Sequence, residues 1–202
     1  MELPKRKQIR LREFDYSSVG AYFVTICTNS RQCLFGTICE QKMCYNLWGE
    51  IADHQIVVTN ELRRKSNIQI VKYVVMPNHV HLLIEILPDV SFFVGTRRAV
   101  SENEQFEQFS KPTKQSVSTV IRAYKAAVTK EIHQMMDRAE CRNGHGTPCP
   151  YGKSNGIPIW QARFYEHIVR NAEDYKQIWR YIDENPLVWE KDCFYENRDN
   201  CL

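Results

Sequence analysis

Two short stretches of this chain hold side chains whose types and spacing could do chemistry. The first is Met76-Pro77-Asn78-His79-Val80-His81-Leu82-Leu83-Ile84-Glu85. In an extended strand alternate side chains share a face, so His79 and His81 point one way and Val80 the other. Two imidazoles about 7 Å apart along one strand can converge on a single ion. Imidazole suits zinc, manganese, nickel or iron, and tolerates magnesium when the remaining ligands are oxygens. A bare His-x-His pair is weak evidence by itself, because core or surface histidines are commoner than ligands.

The second stretch is Trp179-Arg180-Tyr181-Ile182-Asp183-Glu184-Asn185-Pro186. On a helix, Tyr181 and Asn185 are four residues apart and stack on one face. A phenol with its ordinary pKa of about 10 is a poor nucleophile. It needs its target phosphate activated by a metal. The Asn185 carboxamide, one turn away, offers an oxygen that could complete the coordination of that ion. The plainer alternative makes Tyr181 a core aromatic of an amphipathic helix and Asn185 its cap before Pro186.

The elements that must position these groups are legible in outline. Ala21-Tyr22-Phe23-Val24-Thr25-Ile26-Cys27-Thr28 is β-branched and aromatic and ends at Asn29-Ser30, which predicts a strand and a turn. Residues 34–45 read as a weaker strand pair. From Trp48 to about Lys65 apolar residues recur at helical spacing, with Arg63, Arg64 and Lys65 in the last turn, where the dipole favours cations. Ile68 to Met76 and Val80 to Leu87 are two strands separated by Pro77-Asn78. Helix is expected again from Ser116 to about Arg138 and from Ala172 to Glu184, the latter stopped by Asn185-Pro186. The order strand, strand, helix, strand, strand, helix predicts an α+β fold, a ferredoxin-like antiparallel sheet with helices packed against it.

Length and composition fit one domain over residues 1–202, with a basic N-terminal arm (about 1–13) and irregular insertions near 88–115 and 139–157. Hydrophobic content of 43% and charge of 25% are those of an ordinary globular protein. No stretch approaches the roughly 20 apolar residues that cross a bilayer, and no apolar run follows the early basic residues as in a secretory signal. A cytoplasmic location is therefore expected. The net charge of +3 is modest, yet Lys5, Arg6, Lys7, Arg10 and Arg12 crowd the arm, and Lys111, Lys114, Arg122, Lys125 and Lys130 form a second basic cluster. Such clusters can track a phosphate backbone or simply be solvated surface. The eight cysteines include no C-x-x-C pair, so a structural zinc site has little support. Reduced thiols are expected.

Taken together, Tyr22-Phe23-Val24-Thr25-Ile26-Cys27-Thr28 with Cys33-Leu34-Phe35-Gly36, Val74-Val75-Met76-Pro77-Asn78-His79-Val80-His81, Ile159-Trp160-Gln161-Ala162-Arg163-Phe164-Tyr165-Glu166-His167 and Tyr181-Ile182-Asp183-Glu184-Asn185-Pro186 resemble the REP-associated tyrosine transposases. These are a branch of the single-tyrosine HUH transposases. The resemblance runs over nearly the whole chain, with its blocks in the family's order. It implies an HUH endonuclease fold and a divalent ion, Mg2+ or Mn2+. It further implies cleavage and joining of single-stranded DNA through a covalent 5'-phosphotyrosine. By motif, His79 and His81 become metal ligands and Tyr181 the nucleophile. Asn185 stands where many relatives carry a glutamine ligand.

Tyr124 and Tyr165 are rival nucleophiles, but the places one turn beyond them hold Val128 and Val169, which offer no amide. Trp160, Gln161, Arg163 and His167 are candidate contacts to single-stranded or hairpin DNA, as are Lys5, Arg6, Lys7 and Arg10 of the arm. Two other readings compete. A metal-dependent hydrolase would use the histidines to activate water, but the chain is short for the barrel that such enzymes use. A catalytically silent DNA-binding protein would keep the fold alone. The sequence leaves open whether the site forms within one chain or across a homodimer.

Overall fold

A computed structural model describes residues 17–88, 116–143 and 157–195. The basic arm and most of both expected insertions lie outside the described residues. Six strands and three long helices follow one another as β1 (Gly20–Cys27), β2 (Gly36–Cys39), β3 (Lys42–Tyr45), α1 (Leu47–Leu62), β4 (Ile68–Val75), β5 (His79–Ile86), α2 (Val117–Asn143), β6 (Tyr165–Val169) and α3 (Ala172–Glu184). β4, β5, β1 and β6 make one sheet in that order, each neighbouring pair antiparallel. This is the ferredoxin-like arrangement, with one helix crossing between β1 and β4 and another between β5 and β6. β2 and β3 form a separate hairpin.

Period-two alternation sorts the central strands onto two faces. Tyr22, Val24 and Ile26 of β1 join Val80, Leu82, Ile84 and Ile86 of β5 in a core shared with Ala52 and Ile56 of α1 and Val120, Ile121, Tyr124 and Val128 of α2. Phe23 and Leu83 point the other way and meet Ile178 and Ile182 of α3. The sheet is thus covered on both sides, and β5 is buried almost throughout. Burying a Leu or Ile side chain stabilises by roughly 1.5–3 kcal/mol, so this strand is a rigid mount for whatever it carries.

The structure corrects several expectations. β6 is a strand that the sequence pattern does not signal. α1 ends at Leu62, so Arg63 caps it and Arg64 and Lys65 follow the helix rather than forming its last turn. α2 runs on to Asn143, through residues expected to begin the second insertion. α3 itself ends at Glu184 as expected, and what the pattern does not signal is the 3-10 segment from Asn185 to Lys191 that follows it with proline in its first turn, where a missing N–H costs nothing. Cys33 is disulfide-bonded, against the expectation of reduced thiols, whereas Cys27, Cys39, Cys44 and Cys193 are free. Among the described residues no helix is long and apolar enough to cross a membrane.

Candidate functional site

His79 and His81 project from β5 on the α3 side of the sheet, and their Nε2 atoms lie 2.9 Å apart. Each ring is held from behind. The Nδ2 of Asn78 donates to the carbonyls of Arg31 and Phe194, at 3.2 and 2.8 Å. That leaves its Oδ1 to accept from His79 Nδ1–H at 2.9 Å. The His79 tautomer follows: Nε2 carries a lone pair aimed at His81. Thr25, opposite His81 in the strand register, places its hydroxyl 2.9 Å from His81 Nδ1. A hydroxyl either donates or accepts. His81 can therefore present Nε2–H to His79, or a second lone pair to an ion.

The pair is wholly buried, His79 at 0% and His81 at 1% exposure. Phe23 stacks on His81 with centroids 5.1 Å apart, and Trp189 and Phe194 flank His79 at 5.9 and 4.7 Å. The histidines are therefore part of the packed interior as well as candidate ligands. Burial, and then the Arg31 charge, lower the His79 pKa to about 3. His81 is held well below the usual range by burial and by His79. Both rings stay neutral, the state that ligates metals.

α3 brings Tyr181 over this pair. Its hydroxyl lies 3.3 Å from His81 Nε2 and donates to Asp192 Oδ2 at 3.2 Å. Tyr181 is 37% exposed, the accessible member of the group. Burial, with the Asp192 carboxylate next, pushes its pKa up. Unassisted, the phenol is therefore a worse nucleophile than free tyrosine.

One turn on, Asn185 is fully buried. Its Nδ2 donates to Asp192 Oδ2 at 2.9 Å, while its Oδ1 has no hydrogen-bond partner. An orphaned buried carbonyl oxygen costs about 1–3 kcal/mol, a cost that an ion would remove.

The sequence pattern gives no sign of two further members, Asp192 and Arg31. Asp192 follows the 3-10 segment, which turns the chain back so that its carboxylate, His79 and His81 offer ligand atoms within 4.8 Å of one another. Arg31 reaches the site from a left-handed pair, Ser30 and Arg31 at φ 51° and 54°. Such conformations cost on the order of 1–3 kcal/mol each. Its guanidinium lies 5.4 Å from the Phe194 ring centroid and close enough to His79 to depress its pKa.

The donors fit a divalent ion: two imidazole lone pairs, one carboxylate and one unpaired carbonyl. A 2.9 Å N···N separation suits two nitrogens at right angles on an ion with bonds of about 2.1 Å.

The other expected residues scatter. Tyr124 is buried on the opposite face of the sheet from the histidines, donating to the Ala52 carbonyl. The Trp160 ring packs on Phe35 and Tyr124, and its Nε1 donates to the Lys125 carbonyl. The Gln161 carbonyl accepts from Lys125, His167 pairs with Asp174 at 2.9 Å, and Arg163 is exposed. Lys5, Arg6, Lys7 and Arg10 lie outside the described residues.

Comparison with known proteins decides the family. The model described as IS200-like transposase matches residues 17–111. An uncharacterized protein of Haemophilus influenzae is 32% identical over 190 residues, 94% of this chain and 93% of that one. The chain belongs to the IS200-like transposase family. The matched segment carries both histidines of this transposase, whereas Tyr181, Asn185 and Asp192 fall beyond it. Among solved structures, a REP-associated tyrosine transposase bound to a REP hairpin is similar over 88% of this chain and 72% of its own, with 21% identity and a TM-score of 0.49.

Proposed function

We propose that this transposase cleaves and rejoins single-stranded DNA through a covalent 5'-phosphotyrosine on Tyr181, with a divalent ion, Mg2+ or Mn2+, held by His79, His81, Asn185 and Asp192. The observation that carries the reading is the Tyr181 hydroxyl, 3.3 Å from the Nε2 of a histidine that is itself 2.9 Å from a second Nε2. A tyrosine packed for stability alone has no need of two neutral, rear-braced imidazoles beneath its hydroxyl. The ion would polarise the scissile phosphate, which lowers the barrier for a poor nucleophile.

Tyr181 Oη attacks phosphorus and forms the new P–O bond, while the bond to the 3' oxygen breaks and that oxygen takes a proton from solvent water to leave as a hydroxyl. Asp192, already accepting from the phenol, is in place to receive its proton, and Arg31 supplies positive charge beside the phosphate. The exchange of one phosphodiester for another conserves bond energy, so rejoining is the same step reversed at another 3' end. Single-stranded or hairpin DNA is the substrate in this reading, and the cytoplasm is where such DNA would be met.

Incubation with Mn2+ and a single-stranded substrate labelled at its 3' end should trap protein on the labelled DNA as the 3'-hydroxyl fragment departs, and Tyr181→Phe should bind the DNA without forming the adduct. Mass spectrometry should place the nucleotide on the peptide spanning residues 179–185. An adduct on Tyr165, or none from wild type that binds both DNA and metal, would overturn the assignment.

A further inference from the structure

β6 is the outer strand of the sheet beside β1, and Tyr165 is its first residue. Tyr165 lies opposite Thr25, the residue whose hydroxyl holds His81. Cross-strand partners share a face, so Tyr165 stands on the histidines' side of the sheet, two strand spacings or roughly 10 Å from β5. It is 47% exposed. Among the described residues its hydroxyl makes no hydrogen bond and its ring meets no other ring.

The neighbouring aromatics are engaged. Phe23 packs on His81 and Tyr181, Trp189 and Phe194 enclose His79, and Trp179 lies between Tyr175 and the Lys72 ammonium. α3 packs against Val169 at the far end of β6, whereas Tyr165 at the near end is exposed. Two residues earlier, Arg163 is exposed and makes no ion pair among the described residues.

We propose that Tyr165 and Arg163 form a docking strip for the unpaired DNA strand flanking the reacting phosphate, the tyrosine ring stacking one base and the guanidinium holding a nearby phosphate. The strip rests on the function proposed above and deepens it. An exposed ring with an exposed cation two residues away matches the chemistry of single-stranded nucleic acid, whose bases offer π-faces and whose backbone offers charge. It also supplies a reason for strand selectivity. A base inside a duplex has both faces stacked and its edge paired, and must leave the helix before it can lie on Tyr165. The distance from β5 puts the stacked base within a couple of nucleotides of Tyr181.

The two residues act by different physics, so their variants separate. The probe is a fluorescent 20-nucleotide single strand of mixed sequence carrying 5-iododeoxyuridine, bound to the full chain in EDTA and followed by anisotropy at several salt concentrations. Tyr165→Ala should weaken binding about tenfold, the scale of one base stack, and leave the slope of log affinity against log salt unchanged. Tyr165→Phe should bind within twofold of wild type. Arg163→Ala should flatten the slope by about 0.7, the effect of one phosphate on a single strand. Irradiation should cross-link the iodouracil to Tyr165 in wild type.

Wild-type affinity in Tyr165→Ala, or a cross-link map lacking Tyr165, overturns the strip while leaving the proposed function intact. So does a Tyr165→Ala variant that changes the sedimentation mass rather than DNA affinity, since β6 would then be a contact between copies. Failure of wild type to bind the single strand at all would overturn the function as well.

Discussion

Replacing Thr25 by valine tests whether the histidine pair is built for a metal. The substitution keeps shape and β-branching and removes one hydroxyl, the 2.9 Å partner of His81 Nδ1. Thr25 is 2% exposed, so water cannot take the hydroxyl's place. A buried ring nitrogen left without a partner costs about 1–3 kcal/mol, and no cavity opens to add to that. The effect on the ion is separate. Losing the group that braces a ligating histidine typically weakens metal binding by about 10–100-fold, or roughly 1.4–2.7 kcal/mol.

Thr25→Ser provides the converse, because it keeps the hydroxyl and removes one buried methyl, worth about 0.8 kcal/mol. Urea unfolding in EDTA gives stability, and titration calorimetry with Mn2+ gives affinity. Thr25→Val should lower both, whereas Thr25→Ser should lower stability and keep affinity. Mn2+ affinity within twofold of wild type in Thr25→Val would refute the reasoning and return Thr25 to a packing role.

The histidines also set a pH dependence. With His79 depressed to about 3 and His81 depressed too, the unfolded chain binds protons near pH 6.5 that the native chain refuses. Their contribution is complete above pH 6.5 and lost as pH falls towards 3, at up to about 1.4 kcal/mol per pH unit for each ring. Urea midpoints in EDTA between pH 7 and 4 measure it, and a flat profile contradicts the buried neutral pair. Asp192→Asn keeps shape and removes the anionic member of the His79–His81–Asp192 cluster; Mn2+ affinity should fall at least about tenfold, and an unchanged affinity would mean that the ion uses neutral donors alone. Deleting residues 5–12 should flatten the salt slope of single-strand binding by about 0.7 for each phosphate that the arm neutralises; an identical slope would make the arm ordinary solvated surface.

What the sequence makes legible is what depends on neighbours along the chain. His79 and His81 share a face because a strand repeats every two residues, and the apolar run around them requires a buried strand. Tyr181 and Asn185 share a face because a helix returns after four. The core of β1, β4 and β5 is legible for the same reason. β6 is not, because Tyr165-Glu166-His167-Ile168-Val169 shows no alternation of apolar with polar, and Glu166 is buried where an apolar residue would be expected.

Asp192 and Arg31 are illegible for a different reason: each reaches the histidines by a change of chain direction that no periodicity encodes. Asp192 arrives through a 3-10 segment that begins where α3 stops, and the dipeptide Asn185-Pro186 signals the stop without signalling the segment that follows. Arg31 arrives through two left-handed residues, neither of them glycine. The strand and the helix supply the neutral ligands and the phenol, and irregular backbone supplies the charges. That division follows from energetics. A buried strand holds uncharged imidazoles at little cost, but a carboxylate or guanidinium placed there would lose its hydration. Asp192 and Arg31 are both only half-buried. Loops at the sheet's rim bring the charges close while keeping part of their contact with water, and that is where reading a single sequence has least purchase.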